Sequence, residues 1–338
     1  MTPAFSAVQL AAALSEYDFS GCSATVVGYG YMGRHYLQTL QALGVKRIHV
    51  CSRSEASVAD LKGTEGVTVV SGGYQKWEVN PLPGELGIVC CPTADLVGAA
   101  RHLAAGGFRK LLIEKPISLQ SRQIESLAEL LQQQEVDAAC AYNRVSYPSF
   151  IEAKFRAQEE GGITSCSYAF TEFVDRIGPG SFPDAELARW GVANSLHVIG
   201  MAHGLIGLPQ SWNGHRSGAV SWHPTGAIFV GSGISEQGIP FSYHADWGSK
   251  GRWSVEIHTP VVSYSLCPLE KLYRKETATG AWEEVPVGAF DPELKAGIAE
   301  QVATMLISDR PKIIPLVSVN DAARLTKYGE ELFGYPEL

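Results

Sequence analysis

Val26-Val27-Gly28-Tyr29-Gly30-Tyr31-Met32-Gly33 closes a β-branched run at 24–27 and opens a helical pattern reaching from Tyr31 to about Leu43. A G-x-G-x-x-G in that setting has a mechanical reading. Gly28 makes the tight turn, Gly30 lets a pyrophosphate approach the backbone, and Gly33 lets helix and strand pack closely. Tyr31 and Met32 begin the helix, whose free amide groups and dipole favour a phosphate. Three glycines also occur in ligand-free turns. Here a strand precedes, a helix follows, and a second strand comes about 20 residues on, which is the context a dinucleotide site requires.

Outward from this stretch the first half keeps the same grammar. Short apolar runs at 47–51, 67–71, 87–91, 111–114 and 136–142 read as strands, and 96–105 and 121–134 as helices between them. Strand–helix alternation means βαβ units, and continuous apolar strands mean a parallel sheet covered on both faces. After about Tyr147 the pattern changes. A helix at 149–159 is followed by segments alternating with period two, such as Phe241, Tyr243, Ala245, Trp247 and Trp253, Val255, Ile257. Glycine-rich stretches at 231–233 and 248–251 are expected to separate antiparallel strands. Three helices are expected in this half, at 192–206, 291–307 and 320–333. The expected fold is an α/β Rossmann domain with a parallel sheet (1–145) and an α+β C-terminal domain with a large, mostly antiparallel open sheet (146–338).

The 338 residues are 45% hydrophobic and 18% charged, with 35 acidic against 27 basic side chains and a net charge of −8. That describes a globular chain and gives no electrostatic reason to expect nucleic acid or an anionic membrane as partner. No run approaches the ~18 apolar residues of a membrane helix. The first Lys or Arg is Arg34, so the basic start of a signal peptide is missing and a cytoplasmic location is expected. Seven scattered cysteines with no C-x-x-C pair argue against a disulfide framework and against structural zinc; no metal is expected.

The tip of the second strand reads Cys51-Ser52-Arg53-Ser54, with no acid before Glu55. An NAD site wants Asp or Glu there for the ribose 2′-hydroxyl. A hydroxyl followed by a guanidinium suits a 2′-phosphate instead, which favours NADP and leaves NAD as the second choice. Arg34 could add to that charge. A solvated cation is the plainer reading of either arginine.

Ligands of an open parallel sheet bind beyond the carboxyl ends of its strands. Cys91-Pro92-Thr93 follows the fourth strand and could line the dinucleotide with its backbone. Glu114-Lys115-Pro116 follows the fifth, and a lysine there can stabilise a developing alkoxide. His197, in Trp190-Gly191-Val192-Ala193-Asn194-Ser195-Leu196-His197, can exchange a proton with an alcohol or ketone as hydride moves. Asn194, one helical turn earlier, could orient the ring or the substrate. Alone, Lys115 would read as a surface ion-pair partner and His197 as a core histidine. No G-x-S-x-G, phosphate-loop or H-E-x-x-H pattern supports a hydrolase, kinase or metalloprotease.

Together these segments resemble the glucose–fructose oxidoreductase / inositol dehydrogenase (Gfo/Idh/MocA) family. The likeness rests on 27–33, Cys91-Pro92-Thr93, the 112–116 run ending in Glu-Lys-Pro, Tyr142-Asn143-Arg144, His197 with Gly207, and Phe290-Asp291-Pro292-Glu293-Leu294-Lys295-Ala296-Gly297. The resemblance implies hydride transfer between a nicotinamide and a hydroxyl or keto carbon of a sugar, polyol or sugar derivative. It gives Lys115 a place against both nicotinamide ribose and substrate, and His197 the acid/base role. It also implies dimers or tetramers formed through the C-terminal sheet. Asn143, Arg144, Trp190 and Asn194 would shape the substrate pocket, although Trp190 reads equally as a core aromatic. The family pattern often has Asp four residues before the histidine and three after it, where this chain has Ala193 and Gly200, and often His where this chain has Leu96. Those departures keep two other readings open. One is a reductase of an imine or non-sugar carbonyl; the other is a non-catalytic, dinucleotide-binding regulator. The tryptophan-rich sheet face is expected to need covering by a second copy of the chain.

Overall fold

The computed structural model describes residues 5–307, 314 and 316–336. Helix α1 (Ala7–Glu16), capped by Ser6, precedes the first sheet. That sheet grows from β1 (Ser23–Val27), α2 (Tyr31–Ala42), β2 (Arg47–Ser52), β3 (Val67–Ser71), β4 (Leu86–Val89), α3 (Thr93–Ala105), β5 (Lys110–Glu114), α4 (Ser121–Gln133) and β6 (Asp137–Ala141). Every residue of β1 and of β4 is buried. Two buried faces leave no room for polar alternation, so these strands read as continuous apolar runs. All pairings among β1–β6 are parallel.

The second unit contains α5 (Pro148–Glu159), β7 (Ser165–Phe170), α6 (Asp184–Ala188), α7 (Leu196–Ile206), β8 (Pro209–Ser217), β9 (Ile228–Ser235), β10 (Pro240–Asp246), β11 (Trp253–His258), β12 (Ser263–Leu266), β13 (Leu272–Lys275) and β14 (Trp282–Val285). Helix α8 (Ile298–Leu306), β15 (Val317–Ser318) and α9 (Val319–Phe333) follow. The eight strands run β14-β13-β12-β11-β7-β10-β9-β8, antiparallel except for the parallel pair β7–β10. The chain then returns to the first sheet, where β15 adds antiparallel to β6. The two-sheet architecture agrees with the expected fold class. Helix α9 packs on α4 and β6 of the first unit and on α7 and β8 of the second, and α8 packs on α2 and β5.

Two local expectations need correction. Gly231 and Gly233 do not break strands; they lie inside β9. Gly214, Gly231 and Tyr243 are cross-strand neighbours, and a Cβ on Gly231 or Gly214 would come within 2.3 or 2.1 Å of the Tyr243 hydroxyl. The tyrosine ring occupies the space the missing side chains leave. Residues 291–297 do not begin the helix expected at 291–307. Gly297 has φ 78° and would drive a Cβ within 2.1 Å of the Asn143 carbonyl oxygen, so the helix starts at Ile298. Of the tryptophans of the second sheet, two are covered from within the chain, whereas Trp282 on β14 is 40% exposed. Trp247 is wholly buried, 5.6 Å from Trp222, and Trp212 meets Tyr328 of α9 at 4.8 Å. The outward rows carry Ser242 and His244 on β10 and Ser254 and Glu256 on β11, beside Ile228, Val230 and the exposed Ile234 of β9, which makes a mixed face.

Candidate active site

Main chain and glycine build the first half of the site. Gly28 adopts φ 102° and the wall formed by Cys90 and Cys91 passes 2.7 Å from where its Cβ would stand. A Cβ on Gly33 would lie 2.0 Å from the Gly28 carbonyl oxygen, so helix α2 meets the turn only with glycine there. Gly30 differs. Nothing of the protein comes within 4 Å of its Cβ position, and it heads α2 without any side-chain cap. The open space and the uncapped amides face a cleft of about 480 Å³. Gly28, Gly30, Tyr31, Met32, Ser52, Arg53, Cys91 and Pro92 line it, joined by Ser54, Ser57, Gly73, Tyr74 and Asp95. A diphosphate fits this cradle: room at Gly30, donors at the helix start and no competing cap.

The end of β2 has the acid-free character expected of it. Ser52 and Ser57 share a hydrogen bond at 2.6 Å, and the Arg53 side chain is 71% exposed with Asp95 3.7 Å away. Arg34 is tied to Asp60 at 3.0 Å and lies over the Tyr29 ring.

Four expected cofactor residues stand behind the cleft and do not line it. Gly33 serves packing. Thr93 starts α3 and donates to Glu186 of α6 at 2.9 Å, tying the two units together. Glu114 accepts from the Tyr36 hydroxyl at 2.6 Å and from the Lys115 amide at 3.1 Å. Burial holds its carboxyl above the usual range, opposed by the Tyr36 hydrogen bond. Lys115 turns towards the second unit.

There the site changes material. Lys115 Nζ donates to the Ala193 carbonyl oxygen at 2.7 Å, at the position where the family pattern has an aspartate. Burial first, then the charge of Arg144, lowers the pKa of its ammonium. Ala193 belongs to a single π-helical turn, Gly191–Ser195, that leads into α7. Wider winding there shifts the phase on which Asn194 and His197 share a face, so Asn194 does not orient the histidine. Its amide donates instead to Glu172 at 3.0 Å, and Ser195 donates to the same carboxylate at 2.6 Å. Glu172 is 4% exposed. Burial raises its pKa to about 7 against those hydrogen bonds.

His197 Nδ1 is sealed from solvent and has no hydrogen-bond partner. Burial, Lys115, Arg144 and Lys295 all push its pKa well below the ordinary value, so the ring is neutral at pH 7. Its ring centroid lies 6.1 Å from that of Trp253, and the Arg144 guanidinium sits 4.9 Å from the same indole. Asn143 is buried and donates to the Ala296 carbonyl oxygen at 3.2 Å, which fixes the 290–297 loop. That loop sets the Lys295 ammonium 5.3 Å over the Tyr31 ring. Trp190 is 4% exposed, packed edge-on against Phe182 at 4.7 Å.

Sequence reasoning missed Glu172, Trp253 and Lys295. Glu172 did carry a signal: it follows an alternating strand at its carboxyl end, where a buried acid is out of pattern. Among the described residues no group of three or more His, Cys, Asp or Glu is placed to hold a metal ion, and no helix is long and apolar enough to cross a membrane.

Comparison with known proteins agrees with this geometry. Residues 22–142 match the family model described as "Oxidoreductase family, NAD-binding Rossmann fold" (GFO_IDH_MocA). No curated protein sequence matches the chain significantly. Among solved structures, an NAD binding oxidoreductase from Klebsiella pneumoniae superposes with a TM-score of 0.74 at 12% identity, over 93% of this chain and 96% of that one. Levoglucosan dehydrogenase in complex with NADH and L-sorbose gives 0.73 at 14% identity, over 93% and 96%. UDP-N-acetylglucosamine 3-dehydrogenase from Acidithiobacillus ferrooxidans gives 0.68 at 14% identity, over 93% and 97%. At these identities the likeness is one of fold.

Proposed function

From the match of residues 22–142 to the Gfo/Idh/MocA oxidoreductase family model, we propose that the chain is a member of that family and interconverts a hydroxyl and a keto carbon on a sugar, polyol or related polyhydroxylated compound, with NADP as the preferred coenzyme. The bound nicotinamide supplies or accepts the hydride. Everything else falls to the chain. Lys115 faces the carbon's oxygen with an ammonium already fixed by the Ala193 carbonyl, and stabilises negative charge as it develops there. His197, neutral and with a partly exposed ring, takes the hydroxyl proton in oxidation and returns it in reduction. Glu172, titrating near neutrality, adds a second proton-holding group beside Lys115.

The observation that carries this reading is Lys115 at the end of β5, fixed on the Ala193 carbonyl oxygen at 2.7 Å, with the neutral His197 of α7 within reach of its charge. The NADP preference rests on Ser52 and Arg53 at a strand tip without an acid. We assign residues 1–145 to coenzyme binding and 146–338 to substrate binding and self-association through the outer face of the second sheet, in a cytoplasmic protein. The test is calorimetric titration with NADPH and NADH. Saturable binding of one coenzyme per chain, tighter for NADPH, is expected. Absence of heat with both coenzymes contradicts the reading; tighter NADH binding removes the NADP preference alone.

A further inference from the structure

Arg144 is a partly buried cation with no hydrogen-bonded or ion-paired partner among the described residues. It follows β6 in the short turn Asn143–Ser146. Its Nε is sealed from solvent without a hydrogen-bond partner, and among the described residues the guanidinium makes no hydrogen bond or ion pair. Its neighbours are the faces of Trp253, at 4.9 Å, and Tyr147, at 6.0 Å. Burial lowers its pKa, with Glu270 and Glu172 acting on it only from a distance. Only Nε is sealed while the side chain as a whole stays partly exposed, so the terminal nitrogens of the fork remain open to a ligand that would complete a half-desolvated, unpaired charge.

The position says which ligand. Arg144 and His197 meet over the same indole, so whatever the guanidinium holds is attached to the molecule whose proton His197 moves. Lys115 and Lys295 add positive charge, and both cations, with Arg144, bear on His197. Against them stand Glu114 and Glu172, two carboxyls whose pKa values burial raises. A neutral sugar would leave the guanidinium's planar fork unmatched. A carboxylate fills it with two parallel charge-assisted hydrogen bonds.

We propose that the substrate carries a carboxylate, received by Arg144 against Trp253, so that the enzyme acts on a hydroxy acid or sugar acid and not on a neutral polyol. The proposal rests on the oxidoreductase reading above. The carboxylate fixes the distance from acid group to reacting carbon, and Lys115 and His197 address that carbon. Arg144 is thus a specificity-determining residue.

The test titrates D-gluconate, its neutral counterpart sorbitol and inorganic phosphate into the enzyme, with and without saturating NADPH, for the wild type, Arg144→Lys and Arg144→Gln. Wild type is expected to bind gluconate about tenfold or more tightly than sorbitol. Arg144→Gln should erase that preference and Arg144→Lys should restore part of it. NADPH affinity should stay within about twofold across the variants, since a charge-assisted contact is lost only on the substrate side. Arg144→Gln is expected to melt no lower than wild type, because the charge it removes has no partner. Equal binding of gluconate and sorbitol, no binding of either, a preference surviving in Arg144→Gln, or a markedly lower melting temperature for that variant each overturn the proposal. Tighter binding of phosphate than of gluconate overturns the carboxylate in favour of a phosphate ester. If NADPH itself fails to bind, the coenzyme reading fails; if NADPH binds and gluconate is not discriminated, only the carboxylate fails.

Discussion

Around Gly30 the site is made of main chain and absent side chains, whereas around Lys115 it is made of long charged side chains collected from distant segments. The first region is generic. Its donors are amides, its shape follows from where a Cβ cannot go, and any dinucleotide presents the same diphosphate to it. The second region is particular. Lys115, Arg144, Glu172, Asn194, His197 and Trp253 come together only when the second sheet docks, and four of them have shifted pKa values because docking removes water. A backbone-built site sets affinity for the coenzyme, and a side-chain-built site sets what is done with it.

That contrast can be broken most severely at Lys115. Lys115→Met should lower turnover about 10³-fold, close to 4 kcal/mol of barrier, while coenzyme affinity changes little. Equal losses in coenzyme binding and turnover, measured by calorimetry and nicotinamide absorbance, would merge the two regions into one. Next comes the glycine pair. Gly33→Ala must push a Cβ into the Gly28 carbonyl oxygen and should destabilise the fold by about 3 kcal/mol with loss of coenzyme binding. Gly30→Ala, with φ −89° and open space, should melt like the wild type yet bind coenzyme more weakly, since only the ligand occupies that space. Thermal melts beside titrations separate the two outcomes.

A third test uses pH. The folded-state pKa of Glu172, about 7, lies above its ordinary 4.5. The folded protein therefore holds that proton more tightly, and the contribution is fully present below about pH 4.5 and lost as pH rises through 7. Compared with Glu172→Gln, the wild type should lose melting temperature between about pH 5 and pH 8. Glu300, also raised to about 7, acts in both proteins and cancels in the difference. A parallel pair of melting curves would mean that Glu172 is ionised throughout. The smallest effect is expected at the rim. Arg53→Ala should weaken NADPH about tenfold and leave NADH within about twofold, the signature of one exposed phosphate contact.

How much the sequence disclosed follows the same division. Residues 26–33 were legible because a turn, a close approach and a packing contact are each local, and local rules demand glycine at fixed offsets. Glu-Lys-Pro was legible for a similar reason, as the end of a buried strand. Glu172 and Lys295 were not, because nothing near them in the chain says that they will lose their water. The contact of Asn194 with Glu172 was not legible, because α-helical spacing puts Asn194 on the face of His197 whereas Gly191–Ser195 is a π turn and the amide donates to Glu172. The 231–233 glycines were taken for a break because Tyr243, the residue that fills their space, lies on the next strand.

The measurement that bears most directly on this account is a crystal structure of the protein grown with NADPH. The account predicts the diphosphate over Gly30 and the nicotinamide ring beside Lys115, with His197 on the open side of that ring. A ring turned away from Lys115, or a coenzyme seated outside the 28–33 cleft, would contradict it.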